Sequence, residues 1–206
     1  MKNSLRHVAF TSIVLAAIAG VAGAASATVL TTKLSVDNKY TAYLSTTDNT
    51  AGTLFSSGNS WYTTVADSVT LGSALQYFLH IDAVDEGGVA GMLGDFSLTG
   101  SGYHFANGLT TLSTGSSFIT GNATGFNGSY SAVTNYGANG VSPWGAKGDF
   151  KADSKWVWFG NNDSNNESFF SISILADAPA GVPEPASLGL VALALLAMGG
   201  LRARLK

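Results

Sequence analysis

Few residues in the body of this chain could do chemistry. His80 and His104 are the histidines between residues 28 and 181, and no cysteine occurs, which excludes thiol nucleophiles and thiolate metal sites. His80 stands two residues before Asp82. Side chains two apart on a strand share a face, so a base and an orienting carboxylate could meet there. An ordinary hydrogen-bonded sheet contact has the same spacing. Serines and aspartates are plentiful, yet no Gly-x-Ser-x-Gly elbow marks a nucleophile. No His-x-x-x-His or His-Glu-x-x-His spacing marks a zinc site. Paired carboxylates could serve a glycosidase, but nothing in the spacing sets two of them at a chosen separation. No catalytic residue is expected.

Oxygen ligands are more frequent. Residues 161–167 read Asn-Asn-Asp-Ser-Asn-Asn-Glu, donors of the kind Ca²⁺ takes, with Asp163 and Glu167 as the charged members. Asp82 and Asp85 form a second such group, with Glu86 beside them. Neither group has the EF-hand spacing, and Asn-rich runs also serve simply to turn the chain. No cofactor is expected; Ca²⁺ is the one ion the residues leave room for. Aromatic side chains stand among polar and Gly-rich residues, and Trp61, Tyr103 and Trp144 are candidate platforms for stacking on a sugar ring. Core packing is the alternative role for each. In the run Trp156, Val157, Trp158, Phe159, alternate residues must face opposite sides, so one face belongs to a core.

Charge narrows the partners. Residues 28–181 hold five Lys, no Arg and twelve Asp or Glu. Nucleic-acid affinity rests on cationic contacts to phosphate, so nucleic acid is not an expected partner. Cations and neutral ligands such as sugars fit this balance better, and the same negative charge keeps an exported domain soluble.

The elements that must position these residues read as strands. Residues 39–44 place Tyr40, Ala42 and Leu44 on one face. Residues 75–84 alternate most clearly: Leu75, Tyr77, Leu79, Ile81 and Ala83 point one way, Gln76, Phe78, His80, Asp82 and Val84 the other. Residues 92–99 are expected to pair with that strand across the turn at Asp85, Glu86, Gly87 and Gly88. Residues 155–159 and 169–175 are expected to form a late pair around the Asn-rich loop. Residues 100–141 pattern weakly and are expected as long loops over one edge. Turn signals recur at Gly58, Gly108, Gly128 and Gly140. Short strands, frequent turns and no alternating helices predict an all-β fold, a single β-sandwich or jelly roll over residues 28–177. No fixed-period repeat supports a β-helix.

Both ends of the chain differ from this middle. Residues 1–27 have a signal peptide's order: Lys2 and Arg6, then an uncharged apolar run over residues 8–22, then Ala25, Ser26 and Ala27 as a small-x-small cleavage site for signal peptidase. Residues 178–206 form a linker and tail. Val182, Pro183, Glu184, Pro185, Ala186, Ser187 and Leu188 precede an uncharged run to Leu201, after which Arg202, Arg204 and Lys206 close the sequence. Prolines 183 and 185 keep a helix from propagating backwards. A helix over 186–201 would span about 24 Å, and its basic end would stay cytoplasmic.

Motif, apolar run and basic end occur here together and in order, and the tail resembles the PEP-CTERM sorting signal of Gram-negative, exopolysaccharide-producing bacteria. That resemblance covers residues 182–206. It implies recognition of Val182, Pro183, Glu184 and Pro185 by an exosortase, a membrane-embedded Cys transpeptidase-like enzyme. The exosortase would cut near the motif and release or transfer the protein. A basic end spaced Arg-x-Arg-x-Lys replaces the contiguous Arg run of that family. The helix would be a transient inner-membrane anchor, the final location the cell surface or extracellular matrix. A plain single-pass anchor is the alternative.

The middle carries a looser likeness. Residues 35–44, Trp61, residues 75–84 and residues 87–93 resemble jelly-roll modules of galactose-binding-like type. Trp144 and residues 155–158 resemble their closing strands. The short 44–60 region departs from the pattern, lacking the usual Asn-Gly hairpin tip. Together these features give the expectation of a non-enzymatic surface or matrix protein associated with exopolysaccharide or biofilm, through carbohydrate binding. The alternatives are a secreted carbohydrate-active enzyme on the same scaffold and a purely structural subunit.

Overall fold

Each run of alternating apolar and polar residues becomes a strand with its apolar set turned inward. The computed structural model describes residues 27–178; residues 1–26 and 179–206 lie outside the described residues, among them Ala25, the sorting motif and the helix expected over 186–201. The described residues are all-β, without a helix, and build two antiparallel sheets packed as a β-sandwich.

The first sheet holds β1 (Val29–Asp37), β4 (Val65–Thr70), β6 (Gly91–Thr99), β8 (Thr111–Ser113), β11 (Thr134–Ala138) and β12 (Lys155–Trp158). Its order is β11-β12-β6-β1-β4, and β8 lies beside the later half of β6. The second holds β2 (Lys39–Ser45), β3 (Thr53–Gly58), β5 (Gln76–Val84), β7 (Tyr103–Phe105), β9 (Ile119–Asn122), β10 (Ser131–Ala132) and β13 (Glu167–Ala176). Its order is β10-β9-β13-β5-β2-β3, with β7 beside the end of β13.

Two expected pairings do not form. β6 does not pair with β5 but crosses to the other sheet and lies along β1, from Val29↔Thr99 to Asp37↔Gly91. Residues 85–90 make this crossing, and Gly87 and Gly88 take φ of 128° and 102°, open to glycine alone without strain. β12 and β13 likewise belong to opposite sheets, and β13 pairs with β5, β9 and β7. Alternation fixes which side chains face inward but not which sheet receives the strand. Six residues are enough to bridge layers about 10 Å apart. The weakly patterned stretch 100–141 is not all loop: it carries β7 to β11.

The core fills the space between the sheets. Tyr40 and Ala42 of β2, with Tyr77, Leu79, Ile81 and Ala83 of β5, face Leu30, Leu34, Met92 and Phe96 from the other layer. Leu75 is excluded from this core and stands 86 % exposed, because β5 begins one residue later. Trp156, Val157 and Trp158 are all fully buried, so both faces of β12 are covered. The reason is a second apolar cluster of Leu93, Trp144, Phe150 and Trp156 on the outer side of the first sheet. Gly91 permits it: a Cβ there would lie 2.7 Å from Cζ2 of Trp144.

Candidate functional site

His80 of β5 points away from the core yet is fully buried. Residues 46–51 and 123–130 fold over it. Phe126 stacks on its ring at 5.0 Å and also meets Tyr43 and Phe169 edge-on. Nε2 of His80 lies 3.1 Å from Oδ1 of Asp48, and Nδ1 lies 3.3 Å from the Ala51 carbonyl. Both partners accept, so the ring fills both bonds only when each nitrogen carries a proton. Ser171 donates its hydroxyl to the same Asp48 oxygen at 2.5 Å. This set differs from a hydrolytic triad in its middle member. In a triad the histidine stands between serine and carboxylate and takes the serine proton; here the carboxylate stands between them. The arrangement ties two loops to the sheet. Asp82, two residues along the same strand, is not bonded to His80.

Asp82 instead lies opposite Thr41 of β2 and Phe169 of β13. It lines a cleft of about 480 Å³ with Lys39, Thr41, Ser57, Asn59 and Val84. Its Oδ1 is buried and has no partner. Burial, then the nearby Glu167 carboxylate, pushes its pKa up to about 6. The cleft itself is lined by hydroxyl, amide and ammonium groups, which suit a neutral polar ligand. At the rim, Lys39 and Glu86 pair at 2.6 Å, both largely in water.

The aromatic candidates do not form one platform. Trp144 is 5 % exposed; it stacks on Trp156 at 4.5 Å and donates its Nε1–H to Oδ2 of Asp37 at 2.9 Å. Its ring is a packing element, not an open stacking surface. Trp61 joins the edge of the same cluster, with Tyr62 stacked on it at 3.8 Å and Lys147 above it at 5.0 Å. The open face of this stack belongs to Tyr62, which is 76 % exposed. Tyr103 sits elsewhere: its hydroxyl donates to the carbonyls of Gly72 and Ala74. Those contacts lie toward the Val29 end of β1, whereas Ser35, near the other end, bonds the Trp61 carbonyl.

The oxygen-ligand candidates are also dispersed. The Asn-rich loop uses its side chains on itself and its neighbours: Asn161 accepts from the Asp163 amide, Asn162 donates to Ala90, and Asn165 donates to Phe159 and Ser168. Asp163 is exposed, Glu167 opens β13 near Asp82, and Asp85 is buried. Among the described residues no three His, Asp or Glu side chains gather at metal-binding distance. The second histidine, His104, pairs with Asp177 at 2.6 Å and holds β7 to the end of β13. Ala27 is the first described residue, and Thr28 after it is 3 % exposed.

Sequence reasoning missed Asp48, Ser171 and Asp37. Asp48 lies in a polar turn with no pattern, and Asp37 meets its tryptophan 107 residues away. No known protein family, curated protein or solved structure matches the chain. The functional reading therefore rests on residues and geometry.

Proposed function

We propose that the chain is an exported surface or extracellular-matrix protein, sorted by an exosortase, whose β-sandwich is a non-enzymatic module of galactose-binding-like jelly-roll kind that binds exopolysaccharide. The single observation that carries the reading is the ordered tail. Val182, Pro183, Glu184 and Pro185 stand ahead of an uncharged apolar run and a basic end, behind a chain that opens with a signal-peptide pattern. The acidic, Arg-free middle supports a neutral or cationic partner, and the Asp82 cleft is lined by Lys39, Thr41, Ser57 and Asn59, polar groups that can bond sugar hydroxyls. The exposed Tyr62 ring, stacked on Trp61 and outside that cleft, offers a separate surface for a sugar ring.

Two measurements test this. Cells carrying Pro183→Ala/Glu184→Ala should retain the protein in the inner membrane unprocessed. Processing and localisation as in the unaltered protein would remove the sorting reading. On a glycan array the purified chain should bind acidic-group-free polysaccharide, and Asp82→Ala should weaken that binding about tenfold, the worth of one good hydrogen bond.

One observation favours a second reading, a carbohydrate-active enzyme. Asp82 holds a proton to about pH 6 with the Glu167 carboxylate nearby, and neighbouring carboxyl groups are what glycosidases use as acid and base. Turnover in a hydrolase and lyase panel, lost in both Asp82→Asn and Glu167→Gln, would establish the enzyme reading over the binding one.

A further inference from the structure

Asp85 is 3 % exposed, and neither of its carboxylate oxygens has a hydrogen-bond partner. A bare buried carboxylate is among the costliest groups a fold can hold, so native proteins pair it or place it on a metal. Its surroundings are set by three connections at one end of the sandwich. The Asn38 amide donates to the Val84 carbonyl at 2.9 Å, which brings the end of β1 beside the start of the 85–90 crossover. The Asp85 amide donates to the Asn166 carbonyl at 2.8 Å, and the Ala90 amide to that of Asn162 at 2.9 Å, which adds the Asn-rich loop. Asp37, at the end of β1, is 9 % exposed.

The corner holds two carboxylates and no ion pair. Asp37 accepts one bond, from Trp144. Among the described residues the ion pairs are Lys39 with Glu86, His80 with Asp48 and His104 with Asp177, so neither Asp37 nor Asp85 has one. Lys147 is the nearest cation to act on Asp37, but its ammonium lies over the Trp61 ring. Burial raises the pKa of Asp37, the Trp144 bond opposes this, the Asp85 charge adds to the rise, and the Lys147 charge opposes it least. Burial likewise raises Asp85, the Gly87 backbone amide opposes this, and Glu86 adds to the rise.

We propose that the corner between Asp37 and Asp85 binds a divalent cation of the Ca²⁺ type, which clamps the β1–β2 turn, the β5–β6 crossover and the Asn-rich loop. Ca²⁺ tolerates irregular shells completed by carbonyl, amide and water oxygens, so two carboxylates can suffice where the loops of Asn38, Asn162 and Asn166 supply neutral oxygen. No thiolate or histidine stands in this corner, which disfavours Zn²⁺. The site is distinct from the Asp82 cleft and does not depend on the sorting or sugar reading.

The test uses the purified full-length chain, stripped with chelator. Tb³⁺ should show luminescence on excitation of tryptophan, since Trp144 bonds Asp37 directly, and Ca²⁺ should quench it by competition. Millimolar Ca²⁺ should raise Tm by about 5 °C or more. Asp85→Asn keeps the shape and removes the charge. It should bind Tb³⁺ at least tenfold more weakly and lose the Ca²⁺ shift. In chelator it should melt at or above the unaltered protein. Asp37→Asn, checked for folding by circular dichroism, should weaken Tb³⁺ likewise, while Asp82→Asn should leave it unchanged. No Tb³⁺ emission and no Ca²⁺ shift would overturn the proposal in favour of buried water at Asp85. A response retained in both Asp85→Asn and Asp37→Asn would also overturn it, by placing the ion elsewhere.

Discussion

The outer faces of the two sheets are both roofed by loops, and the roofs are built from different materials. On the first sheet Trp144, Phe150 and Trp156 make an apolar layer, with Leu93 beneath them. On the second, Phe126 closes over a buried histidine that is bonded to a carboxylate and a carbonyl. The apolar roof gains mainly from close packing, with one polar tie, the Trp144 bond to Asp37. The polar roof holds only while each hydrogen bond is made, because a buried group left bare costs more than the bond contributes. It covers part of its face and leaves the Asp82 cleft open beside it. Neither roof closes its face completely: a cleft of about 370 Å³ between Thr31, Lys33, Asp95 and Phe150 lies beside the apolar roof, as the Asp82 cleft lies beside the polar one.

The largest effect should come from the apolar side. Trp156→Ala removes a fully buried indole and should cost about 3–5 kcal/mol in denaturant unfolding. Phe126→Ala, partly exposed, should cost about half as much; equal losses would erase the contrast between the roofs. Next comes His80→Leu, similar in size but without the bonds to Asp48 and Ala51. It should cost about 1–3 kcal/mol and speed proteolysis in 46–51 and 123–130 while sparing the 139–150 loop. Protection there unchanged would show that the aromatic contacts alone hold the second roof.

The smallest effect concerns pH. Asp82 titrates near 6 when folded and near 3.9 when unfolded. Between these values the folded chain holds the extra proton, so stability is highest below about pH 4, falls as pH rises toward 6, and is level above. Asp82→Asn should flatten that fall, by about 1 kcal/mol after allowance for water in the open cleft. A profile unchanged by the substitution would remove Asp82 as its source.

Legibility in the sequence followed the range of the interactions. The inward faces of β2 and β5 read correctly because alternation is local. The partner of β6 did not, because a six-residue connection can return beside its strand or cross to the other layer, and residues 85–90 carry turn residues suited to either. Trp144 illustrates the same limit. Its neighbours Pro143 and Gly145 resemble an exposed loop, and only the folded chain brings it to Asp37 and Trp156. Asp85 read as an oxygen ligand by its type, whereas its isolation from hydrogen bonds needed coordinates.

The first residues of the fold set an order of events. Thr28 is buried, its hydroxyl bonded to the Ser101 carbonyl at 2.5 Å and its own carbonyl to the Leu71 amide at 2.8 Å. A cut between residues 27 and 28, where the sequence places the signal-peptidase site, needs that bond extended and reachable. Once Leu71 and Ser101 have closed on Thr28 it is neither. If the chain is exported and cut there, as proposed, release comes first and folding second, and a chain that folds before it is cut stays attached to its leader.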